Sequence, residues 1–359
     1  MGADWASTIV VNIFLAASPP SRAGFSTVMF LVDQDSGNSL NGARVMSFAS
    51  SSEAQTAQTA GYISATTLAF PQAGFSQQPT PSKIKVGYRD VSLAETVAAA
   101  LTAIQAVDND WYAIAQYSRV DADIVAMATA IEAGAEKLYI AQSADASWLD
   151  AGLPAGLSTL AAKERTALIY HDAAAQPADL AWAVSRTVFD ADVKSAPWSG
   201  QIRGVNALTA NLSAAQRDFI VTNKANVGLP YSSAPVYVDS GQNCNGRGIY
   251  EILSGDWLKA RVKEDIAYLK LSHTARGEKI IVDATGQAKI LAILNQRLRQ
   301  GEDAGHFVRG QTRATGESIT AADILARKLR FKVEAQIAAD ARLFEFNVYL
   351  QPDALQLAA

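Results

Sequence analysis

From Lys83 onward, short apolar strands alternate with amphipathic helical stretches. Lys83–Gly87 reads as a strand. Ser92 and Glu95 then form a Ser-x-x-Glu capping box, expected to start a helix with Leu93, Val97, Leu101 and Ile104 on one face. Trp111–Tyr117 is the next strand. Asp121 is placed to cap a helix with Ile124, Met127 and Ile131 inward, stopped by Gly134. Lys137–Ala141 and Thr166–Tyr170 are further strands, and Pro177 suits the first turn of a helix running to about Phe189. Strand and helix in this rhythm predict an α/β layer with a largely parallel sheet.

The flanking segments read differently. Residues 7 to 15 are a β-branched strand, cut off at Ser18-Pro19-Pro20, and Thr27–Val32 is a second strand. Residues 33 to 82, rich in Ser, Gln, Gly and Pro, are expected to be loops with one or two short helices. Trp198–Val205 is read as a strand. Ser213 and Gln216 make a second capping box, opening a helix with Phe219 and Ile220 buried, and Pro230–Asp239 leads to a boundary near Gly241. Beyond it comes the Gly-rich stretch Asn243–Tyr250. Ser254 is then expected to cap a helix with Leu258, Val262, Ile266 and Leu269 as its apolar stripe, and Lys259, Arg261, Lys263, Glu264 and Asp265 on its other faces. Ile280–Val282 reads as a short strand, and Thr285 as the cap of a helix burying Ile290, Leu291, Leu294 and Leu298, ended by Gly301. Leu329–Ile337 and Leu343–Leu350 both alternate at period two. No internal repeat is visible.

A chain of 359 residues is long for one core, so two domains are expected, and a 49% hydrophobic fraction supplies enough apolar surface for them. The net charge of −4 argues against nucleic acid or an anionic membrane as principal partner, since both reward a basic face. The single cysteine, Cys244, allows no intrachain disulfide. The residues after Met1 lack the basic start of a signal peptide, and the apolar run from Ile9 is too short to span a membrane. The expectation is a chain made in a cytoplasm.

Candidate chemistry is thin. His171-Asp172 follows a predicted strand end, where α/β sheets bind ligands, and a base with an orienting carboxylate fits there; adjacent residues at a strand end, however, usually point apart. Cys244 with His273 or His306 would need a proximity that spacing does not supply. These residues define the enzyme alternative: a cytoplasmic α/β enzyme using His171/Asp172 or Cys244. No phosphate-binding Gly-rich loop is present. The glycines from Gly241 to Gly248 fit a tight turn with positive φ instead. Three scattered histidines and one cysteine give no metal-ligand spacing, and no cofactor is expected.

The terminal strands carry the stronger signal. The apolar strand at residue 9 has no local hairpin partner, so it either pairs elsewhere in its own chain or adds to a sheet of another copy. In the last third, the Gly246-Arg247-Gly248 turn, the Asp256-Trp257-Leu258 helix continuing through Arg261-Val262 and Glu264-Asp265-Ile266, and Lys279-Ile280 leading to Asp283 and Gly286 form an ordered set. Phe75–Pro81 before the Lys83 strand and Asn109–Ala113 add to it. With these residues the chain resembles the contractile tail sheath proteins of bacteriophages, over most of its length.

That resemblance implies a non-enzymatic structural subunit of a virion tail, synthesised in the host cytoplasm. Such subunits form stacked hexameric rings around a tail tube, and contraction of the array drives the tube through the host envelope. It implies an α/β fold: a mixed-sheet outer α/β domain, an α+β inner assembly domain and terminal β-arms. The divisions are residues 1–20 (N-terminal linker arm), 21–240 (outer), 241–340 (inner) and 341–359 (C-terminal arm). Ile9, Val11, Ile13, Leu15, Phe344, Phe346, Val348 and Leu350 become inter-subunit strand contacts; Lys259, Arg261, Lys263 and Glu264 become contacts to the tube or a neighbour. Partners would be further copies, the tail tube protein, and baseplate and tail-terminator proteins, without direct nucleic acid or membrane insertion. A related contractile injection particle fits the same residues.

Overall fold

Six parallel strands form the centre of one nine-stranded sheet, ordered β2-β3-β1-β4-β5-β6-β8-β9-β7. The computed structural model describes residues 24–33, 39–150, 154–232 and 234–340, with the side chains of 234 and 235 left aside. β1 (Val28–Asp33) is followed by β2 (Val45–Phe48), α1 (Ser51–Thr59), α2 (Ala65–Phe75), β3 (Ile84–Arg89) and α3 (Val97–Val107). Then come β4 (Ala113–Gln116), α4 (Asp121–Gly134), β5 (Leu138–Ser143), β6 (Thr166–Tyr170) and α5 (Ala178–Thr187). β1 lies between β3 and β4 and is parallel to both. Its side chains alternate between the two faces: Val28, Phe30 and Val32 enter one core, Met29 and Leu31 the other. A strand covered on both faces needs an unbroken apolar run, which Val28–Val32 supplies.

β7 (Gly200–Gln201), α6 (Ala214–Thr222), β8 (Asn226–Tyr231) and β9 (Ala234–Val238) complete this layer, β8 and β9 as an antiparallel pair. The 27-residue α7 (Ile249–Ala275) and α8 (Ala284–Asp303) follow. β10 (Phe307–Gly316), α9 (Ala321–Ala326) and β11 (Phe331–Ile337) then build a separate two-stranded antiparallel sheet. The core on the α2/α5 face continues past Gly241 into α7, through Ile249, Tyr250, Leu253 and Trp257, and takes in Leu298 and Phe307. A smaller cluster, Ile266 with Ile290 and Leu294, is separate from it. The division in packing therefore falls partway along α7.

Several local expectations change. The segment after β3 is a single 3-10 turn over Val91–Leu93, because the Asp90 carboxylate accepts the amides of Ser92 and Leu93. α3 starts later, under the Thr96 hydroxyl, so Leu93 is 78% exposed while Val97, Leu101 and Ile104 are buried. Glu95 instead accepts the Asp90 amide at 2.8 Å and pairs with Arg44. Asp121 is the first helical residue of α4, not its cap, and Ala135 rather than Gly134 takes the left-handed turn at φ +52°. The second capping box forms as expected on Ser213 and Gln216, with Ile220 buried and Phe219 only half-buried.

Further along, α7 begins at Gly248, whose amide is taken by the Glu251 carboxylate at 3.0 Å; Ser254 lies inside the helix. Asp283, not Thr285, caps α8, and Gly301 lies within it, against Phe307. Ile280–Val282 is loop. Of Trp198–Val205 only two residues pair, as β7, whereas Pro230–Asp239 contributes to the β8–β9 hairpin. β2 and β10 escape sequence reading, being short or strongly polar. The segments 7–15 and 343–350 lie outside the described residues.

Leu93→Ala and Leu101→Ala remove the same atoms eight residues apart. Leu101→Ala is expected to cost about 2–5 kcal/mol, and Leu93→Ala under about 0.5 kcal/mol, read from urea unfolding midpoints. Equal effects would contradict the late start of α3.

Candidate functional site

The first half of α7 is seated on the α/β layer by two carboxylates. Asp256 lies at the interface, where Arg165 grips it with two bonds of 2.7 Å and the Tyr112 hydroxyl donates to it at 2.9 Å. Burial opposes the charge on Arg165, but Asp256 more than restores it, so the guanidinium is held more firmly protonated. Tyr112 is pushed well above the usual phenol range by burial and by Asp256, so its hydroxyl stays a donor. One turn on, Asp192 of the loop after α5 accepts from Trp257 Nε1 at 2.8 Å and from Arg261 at 2.6 and 2.9 Å. Arg261 also meets Glu264 at 2.9 Å and lies over the Phe25 ring, 5.4 Å from its centroid. Arg297 of α8 grips Asp265.

Arg261 is only 3% exposed, and Glu264 is its partner. Arg261 is therefore held inside an ion-pair cluster, while Glu264, half-buried, keeps part of its carboxylate at the surface. Helical periodicity placed them off the apolar stripe, but gave no sign of Asp192, 69 residues earlier. Lys259 stands nearer the surface, 3.8 Å from Glu136, and Lys263 is half-buried.

Among the described residues, the candidate catalytic groups are held by internal contacts. The parallel sheet reverses its build direction between β1 and β4, the position at which such sheets bind ligands beyond their strand ends. Internal ion pairs occupy it: Arg89 bridges Asp33 at 2.7 Å and Asp123 at 2.8 Å, and Arg119 grips Asp179 at 2.6 and 3.1 Å. His171 is buried. Its Nδ1 accepts the Ala173 amide at 3.1 Å and lies 3.4 Å from the Asp172 carboxylate, and its Nε2 faces the Asn206 carbonyl at 3.0 Å, so both ring nitrogens have backbone partners. Asp172 instead accepts the amides of Thr209 and Ala210. Cys244 lies in the core, where burial pushes its thiol to about 12, the opposite of nucleophile activation. His306 is buried between the Ala191 carbonyl, 2.7 Å from Nε2, and the Ser254 hydroxyl, 2.8 Å from Nδ1. His273 contacts Glu278, Arg276 and Lys289. Among the described residues no cluster of His, Cys, Asp and Glu could hold a metal, and no helix is long and apolar enough to cross a membrane. Gly246, at φ +94°, supplies the positive φ expected of the 243–248 turn, which the Asn243 side chain braces against the Arg247 amide at 2.9 Å.

No protein-family model and no curated protein sequence matches the chain. Solved structures do. A subunit of the contracted helical sheath of the anti-feeding prophage superposes with a TM-score of 0.68 at 13% identity, covering 94% of this chain and 98% of that one. A chain of the six-fold symmetrised baseplate of the same particle gives 0.68 at 12%, covering 95% and 98%. The contracted PVC sheath complex of an extracellular contractile injection system gives 0.66 at 12%, covering 94% of each. This chain has the fold of contractile sheath proteins. A sheath tail protein from Listeria innocua shares it more loosely, with a TM-score of 0.55 at 9% identity.

The Asp192–Arg261 bond is expected to be strongly coupled. Asp192→Ala and Arg261→Ala should each cost about 3 kcal/mol by leaving the other charge buried, and the double variant clearly less than the sum. Additive losses in a double-mutant cycle would show the pair to be uncoupled. Burial lowers the pKa of His306, with Ala191 and Asp192 opposing. Between that lowered pKa and the unfolded value near 6.5, the unfolded chain binds more protons. Stability should therefore fall as pH drops below about 6.5, by at most about 1.4 kcal/mol per pH unit. His306→Gln should flatten that slope, measured by urea unfolding at each pH; an unchanged slope would assign it elsewhere.

Proposed function

We propose that this chain is the subunit of a contractile sheath. Copies form stacked hexameric rings around a tube, and shortening of the array drives the tube through a target envelope. The observation that carries this reading is the reciprocal coverage of the anti-feeding prophage sheath subunit, which leaves little of either chain unmatched. The closed catalytic candidates agree with a non-enzymatic role. On this reading residues 21–240 are the outer part and 241–340 the inner, with the first half of α7 packed into both.

The partners are further copies, a tail tube protein, and baseplate and tail-terminator proteins. Ile9, Val11, Ile13, Leu15, Phe344, Phe346, Val348 and Leu350 carry the strand contacts between copies. Lys259 and Lys263 bear on the tube or a neighbour. Charge is divided in a way that suits stacking: residues 1–248 hold 15 Lys and Arg against 21 Asp and Glu, net −6, and residues 249–340 hold 15 against 12, net +3. Contraction is then a change between two packings of one rigid subunit.

Our first assignment is a phage tail, with genome ejection as its outcome. The higher similarity to the two injection-particle sheaths, 0.68 and 0.66 against 0.55 for the Listeria protein, favours a contractile injection particle as a second reading.

Electron microscopy of the purified chain should show tubes or rings. Deleting residues 1–17 should leave a folded, soluble chain that no longer polymerises. Tubes from the truncated chain would refute the arm assignment; a full-length chain that stays monomeric under all assembly conditions would refute the sheath reading itself.

A further inference from the structure

The first described residue, Gly24, stands at the rim of a surface groove of about 480 Å³. Phe25, Pro79, Pro81, Val188 and Phe189 give the groove its apolar wall. Asp190 is exposed at its edge and forms no ion pair with a described residue. Arg186 and Lys194 each lie 5.6 Å from the centre of the Phe189 ring, which props that ring in place. The sequence that precedes Gly24 reads Ser18-Pro19-Pro20-Ser21-Arg22-Ala23.

We propose that residues 18–23 dock in this groove of their own subunit as an extended, polyproline-type segment. Three observations converge on that occupant. The segment is covalently fixed at the groove's rim, so little search entropy opposes its docking. Two successive prolines favour the extended left-handed form, which rests in aromatic- and proline-lined grooves with little further ordering cost. Arg22 is the single Lys or Arg among residues 1–43 and stands two residues before Gly24 of the groove's rim, so the segment brings one cation to a groove whose edge carries Asp190. A groove of this volume lies in the range that holds a small ligand or a few residues, not a folded partner.

Docking here would fix the direction in which residues 7–15 leave the subunit. It concerns the isolated subunit and does not depend on the sheath reading.

Trypsin tests it directly, because Arg22 is the first site at which it can cut. Release of residues 1–22 from the full-length chain, kept monomeric at low concentration, is followed by mass spectrometry. Each rate is divided by that of a free peptide covering residues 16–28, carrying the same substitution where one lies within it. The wild-type chain should be cut at Arg22 at least about tenfold more slowly than the peptide, the factor corresponding to about 1.4 kcal/mol of docking. Phe189→Ser, Asp190→Lys and the paired Pro19→Gly/Pro20→Gly variant should each lose most of that protection. The proline variant alters no described residue, so it remains informative if Phe189→Ser fails to fold. Wild-type cleavage at the peptide's rate, or protection unchanged in the Asp190 and proline variants, would overturn the proposal.

Discussion

The placement of α7 depends on two carboxylates that cannot be left alone. Asp256 and Asp192 are each withdrawn from water at the face where the helix meets the sheet layer, and an unmatched charge there would cost several kcal/mol. Arg165 and Tyr112 answer the first, Arg261 and Trp257 the second. These bonds are directional, so they fix the rotation of the helix about its axis as well as its position. Apolar packing of Ile249, Leu253 and Trp257 alone would tolerate small slips. The second half of α7 then projects from this footing, and with α8 and the β10–β11 sheet it builds the smaller cluster around Ile266, Ile290 and Leu294.

Ion pairing of the same kind occupies the described residues at the reversal point of the sheet. That point, between β1 and β4, holds Arg89 with Asp33 and Asp123, and Arg119 with Asp179 and Gln142. The charges gathered at that point are satisfied by each other. The layer acts as a scaffold. Its reversal point ties strand ends β1, β3 and β4 to the N-terminal turns of α4 and α5.

How much of this was legible follows from the range of each signal. Period-two and period-3.6 patterns are local, and they placed β1, β3, β4, β5, β6, α4, α5 and the Ser213 box closely. Helix starts were read less well, because several polar residues competed for each cap. Asp90 outcompeted Ser92 by closing a tighter turn, and Glu251 reached back to Gly248 before Ser254 could serve. Polar strands failed for a different reason. β10, Phe307–Gly316, carries Arg, Gln and Thr on a largely exposed ladder, so no apolar alternation marks it, and it exists because β11 pairs with it. The ion-pair junction was illegible in principle: Arg261 meets a residue 69 positions away, and Asp256 one 91 positions away. A charged residue off the apolar stripe reads as surface until the fold brings its partner.

Both ends of the described chain meet α7. Phe25, next to the first described residue, lies under Arg261, while the amide of Asp340, the last, faces the Tyr250 hydroxyl at 3.4 Å. Eleven helical residues separate Tyr250 from Arg261, a rise of about 16 Å. The first and last described stretches therefore both bear on one helix whose own seating is fixed by Asp192 and Asp256. If strands are donated to other copies from residues 7–15 and 343–350, a pull on either is delivered to the same short stretch of helix. The strong, directional bonds are concentrated in that stretch. On the proposed sheath reading, a subunit seated this way would move as one body, which a rearrangement between two packings of the copies would require.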